Sequence, residues 1–134
     1  VVILLRKVDR YGPPGEAGCG PPGFALGIES GSIPDSAFTA SSTWSGVYVP
    51  SGARLNAGTC WHAAFQNRNQ WLKISLAADY VITGIITQGR PDVLQYITSY
   101  KVTYSLDDVD WIEYMDEYAD QVKANTQYVL LIIM

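Results

Sequence analysis

The sequence predicts an all-β protein, an antiparallel β-sandwich or jelly roll. Two segments alternate apolar and polar residues with a period of two, "WLKISL" at 71–76 and "TSYKVTYS" at 98–105, which is typical of half-buried strands. No stretch of ten or more residues has a convincing helical period. Short strands that are separated by turn signals, without helices between them, pack as antiparallel sheets.

Residues 1–23 are expected to form an irregular lead-in or linker before a domain over residues 24–134. The stretch "GPPGEAGCGPPG" at 12–23 is too rich in Gly and Pro for a helix or a central strand. The opening "VVILL" is too short for a membrane span, and no Met precedes it. We therefore interpret the chain as part of a longer precursor.

The same patterns assign residues to individual strands and turns. Leu72, Ile74 and Leu76 are expected to share one face of the first strand. The segment "VITGIITQG" at 81–89 predicts a second strand, in which Gly84 indicates a bulge or a close backbone approach. The cluster "LDDVD" is turn-forming, so residues 100–115 predict a β-hairpin.

Composition excludes several classes of function. The 134 residues, 48% hydrophobic and 16% charged, are enough for one domain with a core. A net charge of −4 argues against nucleic-acid binding and against a general attraction to anionic membranes, although a local basic spot remains open. Cys19 and Cys60 form no CxxC pair that would indicate zinc or a redox motif.

No arrangement of residues predicts catalysis, a metal site or a cofactor. His62 is the only histidine, and no nucleophile accompanies it at motif spacing. The acidic turn of Asp107, Asp108 and Asp110 lacks the glycine and the distal glutamate of an EF-hand loop, so a solvated turn is the better interpretation. The chain is therefore predicted not to be an enzyme.

Five blocks, in order and with matching spacing, resemble the discoidin family, also called coagulation factor V/VIII type C domains. They cover about residues 24–120: "LGIESGSIPDSAFTASSTW", "ARLN", "NQWLKISL", residues 81–89, and "TSYKVTYSLDDVDWIEYMD". The resemblance implies a non-enzymatic, extracellular β-sandwich of galactose-binding-like topology. It also implies loops at one end that bind phospholipid head groups, glycans, collagen or cell-surface receptors.

We therefore expect a binding and adhesion module, secreted or at the cell surface, beside other domains of a larger precursor. Its expected partner is a phospholipid membrane surface, a glycan or a collagen-like matrix protein. The alternative is a carbohydrate-binding appendage of a glycoside hydrolase or another larger enzyme. The ligand itself is open, because such loops change while the strands are retained.

The chain departs from the family pattern at both ends. Cys19 resembles the first of two terminal cysteines that bond to each other in the family, but no terminal partner exists. The family's closing strands are missing, and the chain ends in the apolar run "QYVLLIIM" at 127–134. We therefore expect a domain that is incomplete at its C-terminus, with an uncovered sheet edge and an aggregation-prone end.

The resemblance also assigns residues to the scaffold. It implies that Arg54 is a structural residue whose charge is satisfied under the loops, and that Trp61 packs in the core. Trp71 and Trp111 belong to strand motifs and are expected to pack. Asp108 stands where the family often has Gly, so a positive φ is expected there.

The first candidate binding loop is "STWSGVYVPSG" at 42–52. Trp44, Val47 and Tyr48 would expose large apolar groups there, and such exposure usually marks a contact surface. Trp44 suits an interface because its ring can be buried while its N–H stays hydrated. Alternatively, Trp44 and Tyr48 fold back onto the sandwich.

The second candidate binding loop is "QGRPDVLQYITS" at 88–99. The planar fork of Arg90 could bind a phosphate, sulfate or carboxylate, and Val93 and Leu94 could form an apolar tip. The alternative is that Arg90 pairs with Asp92 at the surface.

Overall fold

The computed structural model describes residues 2–8, 24–90, 92–115 and 124–133. These ranges contain seven β-strands and two short 3₁₀ turns, Asp35–Ala37 and Pro50–Ala53. The strands are β1 (Val2–Val8), β2 (Phe24–Ala25), β3 (Phe38–Ala40), β4 (Trp71–Gln88), β5 (Tyr100–Ser105), β6 (Ile112–Glu113) and β7 (Ala124–Ile133). Every strand pair is antiparallel, which confirms the predicted all-β class.

Strand β4 organises the sheet. The strand order is β2-β1-β4-β7-β5-β6, and β3 also pairs with β4. The first half of β4 pairs with β3 and the second half with β1, while β7 lies along its other edge. Within the described ranges, no helix is long and apolar enough to cross a membrane.

Strand β4 must bend, because both of its ends reach the same surface groove. An unbent strand of 18 residues would extend more than roughly 50 Å, yet Gln70 and Arg90, which flank the strand, line one groove. The pairing with β7 shifts register between Ser75 and Tyr80, which places the bend there. Such irregularities allow one strand to pass between the two sheets of a sandwich.

The sequence pattern predicts two strands where the structure has β4 alone. No Gly or Pro lies between Leu76 and Tyr80 to end the first strand, so the backbone stays extended through the bend. The bulge expected near Gly84 is confirmed: Arg6 of β1 pairs with Gly84 and Lys7 with Ile82, so one residue of β4 is skipped.

The expectation of an irregular lead-in over residues 1–23 was wrong for residues 2–8. These residues form β1, which pairs with β4 from Gln88 back to Val81. The reason is that "VILLRKV" is rich in residues that favour a pleated strand, and the two basic residues do not end it. The Gly- and Pro-rich part, residues 9–23, lies outside the described residues.

The apolar terminal run, which the sequence predicted to be aggregation-prone, is not an exposed strand edge. Most of the run "QYVLLIIM" lies in β7, which pairs with β4 on one edge and with β5 on the other. Val129 in this strand is almost fully buried. Tyr128, Leu130, Ile132 and Ile133 are half-buried, so both faces of the strand are partly covered, which is consistent with the missing alternation.

In the core, one face of β4 packs against the segments around β3. Leu72, Ile74 and Leu76 are buried, which confirms that they share a face. The β5–β6 hairpin is also confirmed, and Asp108 in its turn has a φ of 63° as expected. The buried cluster consists of Leu26, Ile28, Ile33, Phe38, Ala53, Trp61, Leu72, Ile74, Leu76, Ile82 and Val129.

Candidate functional site

A groove of about 720 Å³ opens at the end of the sheet where β4 and β5 begin and β7 ends. We call residues 42–52 the first loop, residues 56–69 the intervening segment and residues 88–99 the second loop. The groove lies between the intervening segment and the second loop. Its lining comprises Cys60, Trp61, His62, Ala63, Phe65, Gln66, Asn67, Arg68, Gln70, Arg90, Leu94, Gln95, Tyr96, Ile97, Thr98 and Ile133.

The buried side chain of Gln70 holds the base of this groove together. Its Oε1 accepts hydrogen bonds from the hydroxyls of Ser41, at 2.9 Å, and Ser42. Its Nε2 donates to Asn67 Oδ1 at 2.8 Å. A buried polar group that is fully bonded fixes its surroundings, so Gln70 ties the first loop to the intervening segment.

The first loop is anchored by its backbone, which leaves its apolar side chains outside. Trp44 N–H donates to His62 O at 2.8 Å, and the indole N–H of Trp61 donates to Ser42 O at 3.0 Å. Gly52 is packed so closely that a Cβ there would lie 2.9 Å from Cys60 O. Only glycine fits such an approach, so the base of the loop is held against the intervening segment.

The structure places Trp44 and Val47 at the surface and Tyr48 partly inside. Trp44 is 63% exposed and Val47 is 68% exposed. The rings of Trp44 and Tyr48 both lie near His62, with ring centroids 5.6 and 6.0 Å away. Trp44 thus rests one edge on His62 while most of its ring faces solvent.

Arg90 braces the two loops. Its Nε and Nη2 donate to the carboxylate of Asp92 at 2.6 and 2.8 Å, and its Nη1 donates to Gln95 Oε1 at 3.3 Å. Nη2 also donates to Tyr48 Oη at 3.0 Å, and the guanidinium lies 5.0 Å from the Tyr48 ring centroid. The hydrogen bond with Asp92 raises the pKa of Arg90 and lowers that of Asp92. Arg90 therefore pairs with Asp92, which is the alternative that the sequence left open.

The tip of the second loop is exposed and apolar. Val93 is partly exposed, and Leu94 is 92% exposed and lines the groove. The backbone is tightly turned, because Arg90 N–H donates to Gln95 O at 2.8 Å and Gln95 N–H donates to Val93 O at 2.7 Å. The loop therefore holds Leu94 outward on a hydrogen-bonded frame.

Most groove residues were not among the predicted site residues, and Phe65, Arg68 and Tyr96 are three exposed examples. Phe65 and Tyr96 are both largely exposed, and Arg68 is exposed beside them. The available signal was an aromatic residue set in the polar stretch "FQNRN", which is unusual for a core position. That Tyr96 lines the same groove as Phe65 and Arg68 depends on the folding together of segments that are distant in sequence.

Two of the residues that the resemblance assigned to the scaffold, Arg54 and Trp61, lie as it implied. Arg54 donates to Ile28 O at 2.6 Å, to Ile33 O at 2.7 Å and to Asp35 Oδ1 at 2.6 Å, which confirms its structural role. Trp61 is buried, as expected for a core residue.

The remaining candidates are His62 and the two cysteines. His62 Nδ1 lies 2.8 Å from Ala63 O, so it is engaged by the backbone. Cys60 is buried and free, and Cys19 lies outside the described residues. In the part of the chain that the structure describes, no group of three or more His, Cys, Asp or Glu could hold a metal ion.

The fold and the loop-borne groove define the class of protein, a β-sandwich that presents its site on loops. Residues 37–131 match the F5/8 type C domain family, and this match covers more than half of the chain. The chain therefore belongs to the F5/8 type C domain family.

Individual relatives agree with this assignment. Retinoschisin of Takifugu rubripes is 41% identical over 101 residues, which cover 69% of this chain and 36% of that protein. Lactadherin of Sus scrofa is 41% identical over 112 residues, which cover 75% of this chain and 27% of that protein. The chain thus spans less than half the length of these curated relatives.

A solved structure shows the same fold. Discoidin II from Dictyostelium discoideum aligns with a TM-score of 0.63 at 20% identity, over 72% of this chain and 48% of that one. The fold is accordingly an antiparallel β-sandwich, as the sequence predicted.

Proposed function

We propose that this chain is a non-enzymatic, extracellular binding and adhesion module that attaches to a phospholipid membrane surface. One observation carries the proposal. The first loop exposes Trp44 and Val47, and the Trp44 ring lies against His62 of the groove lining. The second loop exposes Leu94, which lines the same groove. Monomeric proteins rarely expose such clusters unless the surface binds something.

The exposed tips suit insertion into the boundary between lipid head groups and acyl chains. Full burial of a side chain the size of Leu or Val contributes about 1.5–3 kcal/mol. Trp is favoured at this depth because its ring is apolar while its N–H can stay hydrated. Several such side chains on a frame held by Gln70 and Arg90 would bind without the cost of ordering the loops.

The surroundings of His62 in the groove are those of a packed side chain. His62, the histidine that lines the groove, is engaged by a backbone oxygen and by two aromatic rings. The groove lining contains no aspartate or glutamate that could pair with it as an acid or base.

Vesicle binding tests the proposal. Sedimentation with vesicles of phosphatidylcholine mixed with phosphatidylglycerol should show binding of the unmodified chain. The variant Leu94→Ala should bind about tenfold more weakly, because it removes most of one inserted side chain. Trp44→Ala should weaken binding at least as much, and circular dichroism should show an intact fold in both variants.

Leu106→Ala is the matched control. Leu106 is also exposed, but it lies at the far end of β5 from the groove. Thr98, which precedes β5, lines the groove, whereas Leu106 follows the last residue of β5. Its replacement should leave vesicle binding unchanged. Absence of vesicle binding, or equal effects of Leu94→Ala and Leu106→Ala, would refute the proposal, and binding on a glycan array or to collagen would then identify another ligand class.

A further inference from the structure

A second cavity, of about 380 Å³, lies where β4 bends, away from the groove. We call it the bend pocket. Extended β4 separates Ala77 in this pocket from Gln70 in the groove by roughly 20 Å, and the two cavities share no lining residue. The lining of the bend pocket comprises Leu26, Ser32, Ile33, Pro34, Ser36, Ala37, Ser75, Ala77 and Tyr80.

The lining of the bend pocket is uncharged and rich in hydroxyl groups. Among the described residues, no aspartate, glutamate, lysine, arginine or histidine lines it. Three serines and Tyr80 contribute hydroxyls, which both donate and accept hydrogen bonds, and the other lining side chains are apolar. An ion would lose its hydration there without meeting an opposite charge. The pocket therefore fits a neutral ligand that has both hydroxyl groups and an apolar surface.

Two of the serine hydroxyls are available to a ligand. Ser32 Oγ lies 3.0 Å from Ser30 Oγ, so these two hydroxyls share a hydrogen bond. The hydroxyls of Ser36 and Ser75, by contrast, have no hydrogen-bond partner among the described residues. Ser36 lies in the turn Asp35–Ala37 and Ser75 lies on β4, so the two hydroxyls belong to different walls of the pocket.

The bend adds backbone groups to the same place. Strand β3 pairs with β4 only as far as Ile74, and β1 pairs with it only from Val81. The pairing with β7 passes from Ser75 directly to Tyr80. Residues 76–79 therefore have no strand partner among the described residues, and the sheet does not use their N–H and C=O groups.

The wall opposite β4 is held in place by close packing. Gly27 has a φ of 86°, and a Cβ there would lie 2.6 Å from the Cβ of Ser32. Only glycine fits such a turn. Ile33 N–H donates to Gly27 O at 3.2 Å, and Ala37 N–H donates to Pro34 O at 3.1 Å. The pocket is thus formed before a ligand arrives.

We propose that the bend pocket binds one neutral sugar residue, at a site separate from the loops and independent of membrane binding. A pyranose ring has hydroxyls around its edge and apolar C–H groups on its faces, which match the two kinds of lining. The cavity volume lies within the range of about 300–1000 Å³ that is typical of small-molecule sites.

Nuclear magnetic resonance tests the proposal with three neutral hexoses: D-glucose, D-galactose and D-mannose. Each is titrated into the ¹⁵N-labelled chain. At least one should shift the backbone amide signals of residues 32–37 and 75–80 in a saturable way and leave those of residues 88–99 unchanged. No saturable shift with any of the three hexoses would overturn the inference.

Serine variants test the hydroxyl contacts. Ser36→Ala and Ser75→Ala should each weaken hexose binding about fivefold, the loss expected for one hydrogen bond. Ser51→Ala is the matched control, because Ser51 lies in the other short turn, Pro50–Ala53, and lines neither cavity. Equal affinities of all three variants would overturn the inference.

Two further variants separate the bend pocket from the groove. Ala77→Trp should abolish hexose binding, because Ala77 is an exposed lining residue and a large ring there blocks the pocket. Leu94→Ala should leave hexose binding unchanged. Hexose binding that survives Ala77→Trp but is lost in Leu94→Ala would place the sugar in the groove and overturn the inference. Circular dichroism should show an intact fold in every variant.

Discussion

The underside of the loops and their outer rim use the same residue type in opposite ways. Under the loops, Arg54 is mostly buried, donates to two backbone oxygens and to Asp35, and lies 4.7 Å from the Phe38 ring centroid. At the rim, Arg68 is exposed and unpaired within the described ranges. An arginine with its donors satisfied inside stabilises the fold, whereas one without partners is available to a ligand.

The same contrast separates the apolar residues. Ile74 on β4 is 0% exposed in the core, whereas Ile112 on the edge strand β6 is 55% exposed. Burial determines whether an isoleucine contributes to stability, because only the area removed from water contributes. Buried and exposed residues can therefore be altered independently, and the first two predictions below each compare one residue of each kind.

The largest expected effect is on the core. Ile74→Ala should lower the free energy of unfolding by about 2–5 kcal/mol, because it removes buried methyl groups and leaves a cavity. Ile112→Ala should change it by less than about 1 kcal/mol. Urea unfolding followed by tryptophan fluorescence measures both, and similar losses in the two variants would contradict the assignment of β4 to the core.

The next effect concerns the two arginines. Arg54→Lys keeps the charge but cannot reach all three of its acceptors, so buried backbone oxygens lose their partners at a cost of about 1–3 kcal/mol. Arg68→Lys should change stability by no more than about 0.5 kcal/mol. Thermal and urea unfolding would measure the difference. Equal stabilities of the Arg54→Lys and Arg68→Lys variants would show that the hydrogen bonds of Arg54 do not stabilise the fold.

The sequence predicts the parts of this fold that depend on local patterns. The alternation in "WLKISL" places Leu72, Ile74 and Leu76 on one face because successive side chains of a strand point to opposite sides. The positive φ of Asp108 follows from a turn position that the family fills with Gly. The roles of Arg54 and Trp61 followed from the family resemblance.

The parts that escaped prediction depend on distant partners. The bend in β4 is defined by its pairing with β1, β3 and β7, which come from both ends of the chain. Sequence could not decide between Asp92 and a ligand for Arg90, because Tyr48, 42 residues away, helps to hold the guanidinium in place. The groove residues Phe65 and Tyr96 likewise come to line one groove only after folding.

The smallest expected effect on the free energy of unfolding comes from the turn of the β5–β6 hairpin, far from the groove. Asp107 Oδ1 accepts hydrogen bonds from the N–H groups of Asp110 and Val109, both at 2.9 Å, and from the hydroxyl of Ser105 at 3.0 Å. These bonds, the backbone ones foremost, lower the pKa of Asp107 below its ordinary value. A carboxylate whose pKa is lower in the folded state stabilises the fold above its unfolded pKa, near 3.9, and loses that contribution as the pH falls through the folded pKa.

Asp107→Asn isolates this contribution, because the amide oxygen can still accept hydrogen bonds but does not titrate. At about pH 7 the unmodified chain should be more stable than the variant, and the difference should shrink as the pH falls below about 4. Urea unfolding across this range measures it, with Asp110→Asn as a control that removes a neighbouring carboxylate but leaves these acceptors in place. A difference between Asp107→Asn and the unmodified chain that stays constant with pH would show that the charge of Asp107 does not stabilise the turn, and the acidic cluster would then differ in no way from the solvated carboxylates elsewhere on the frame.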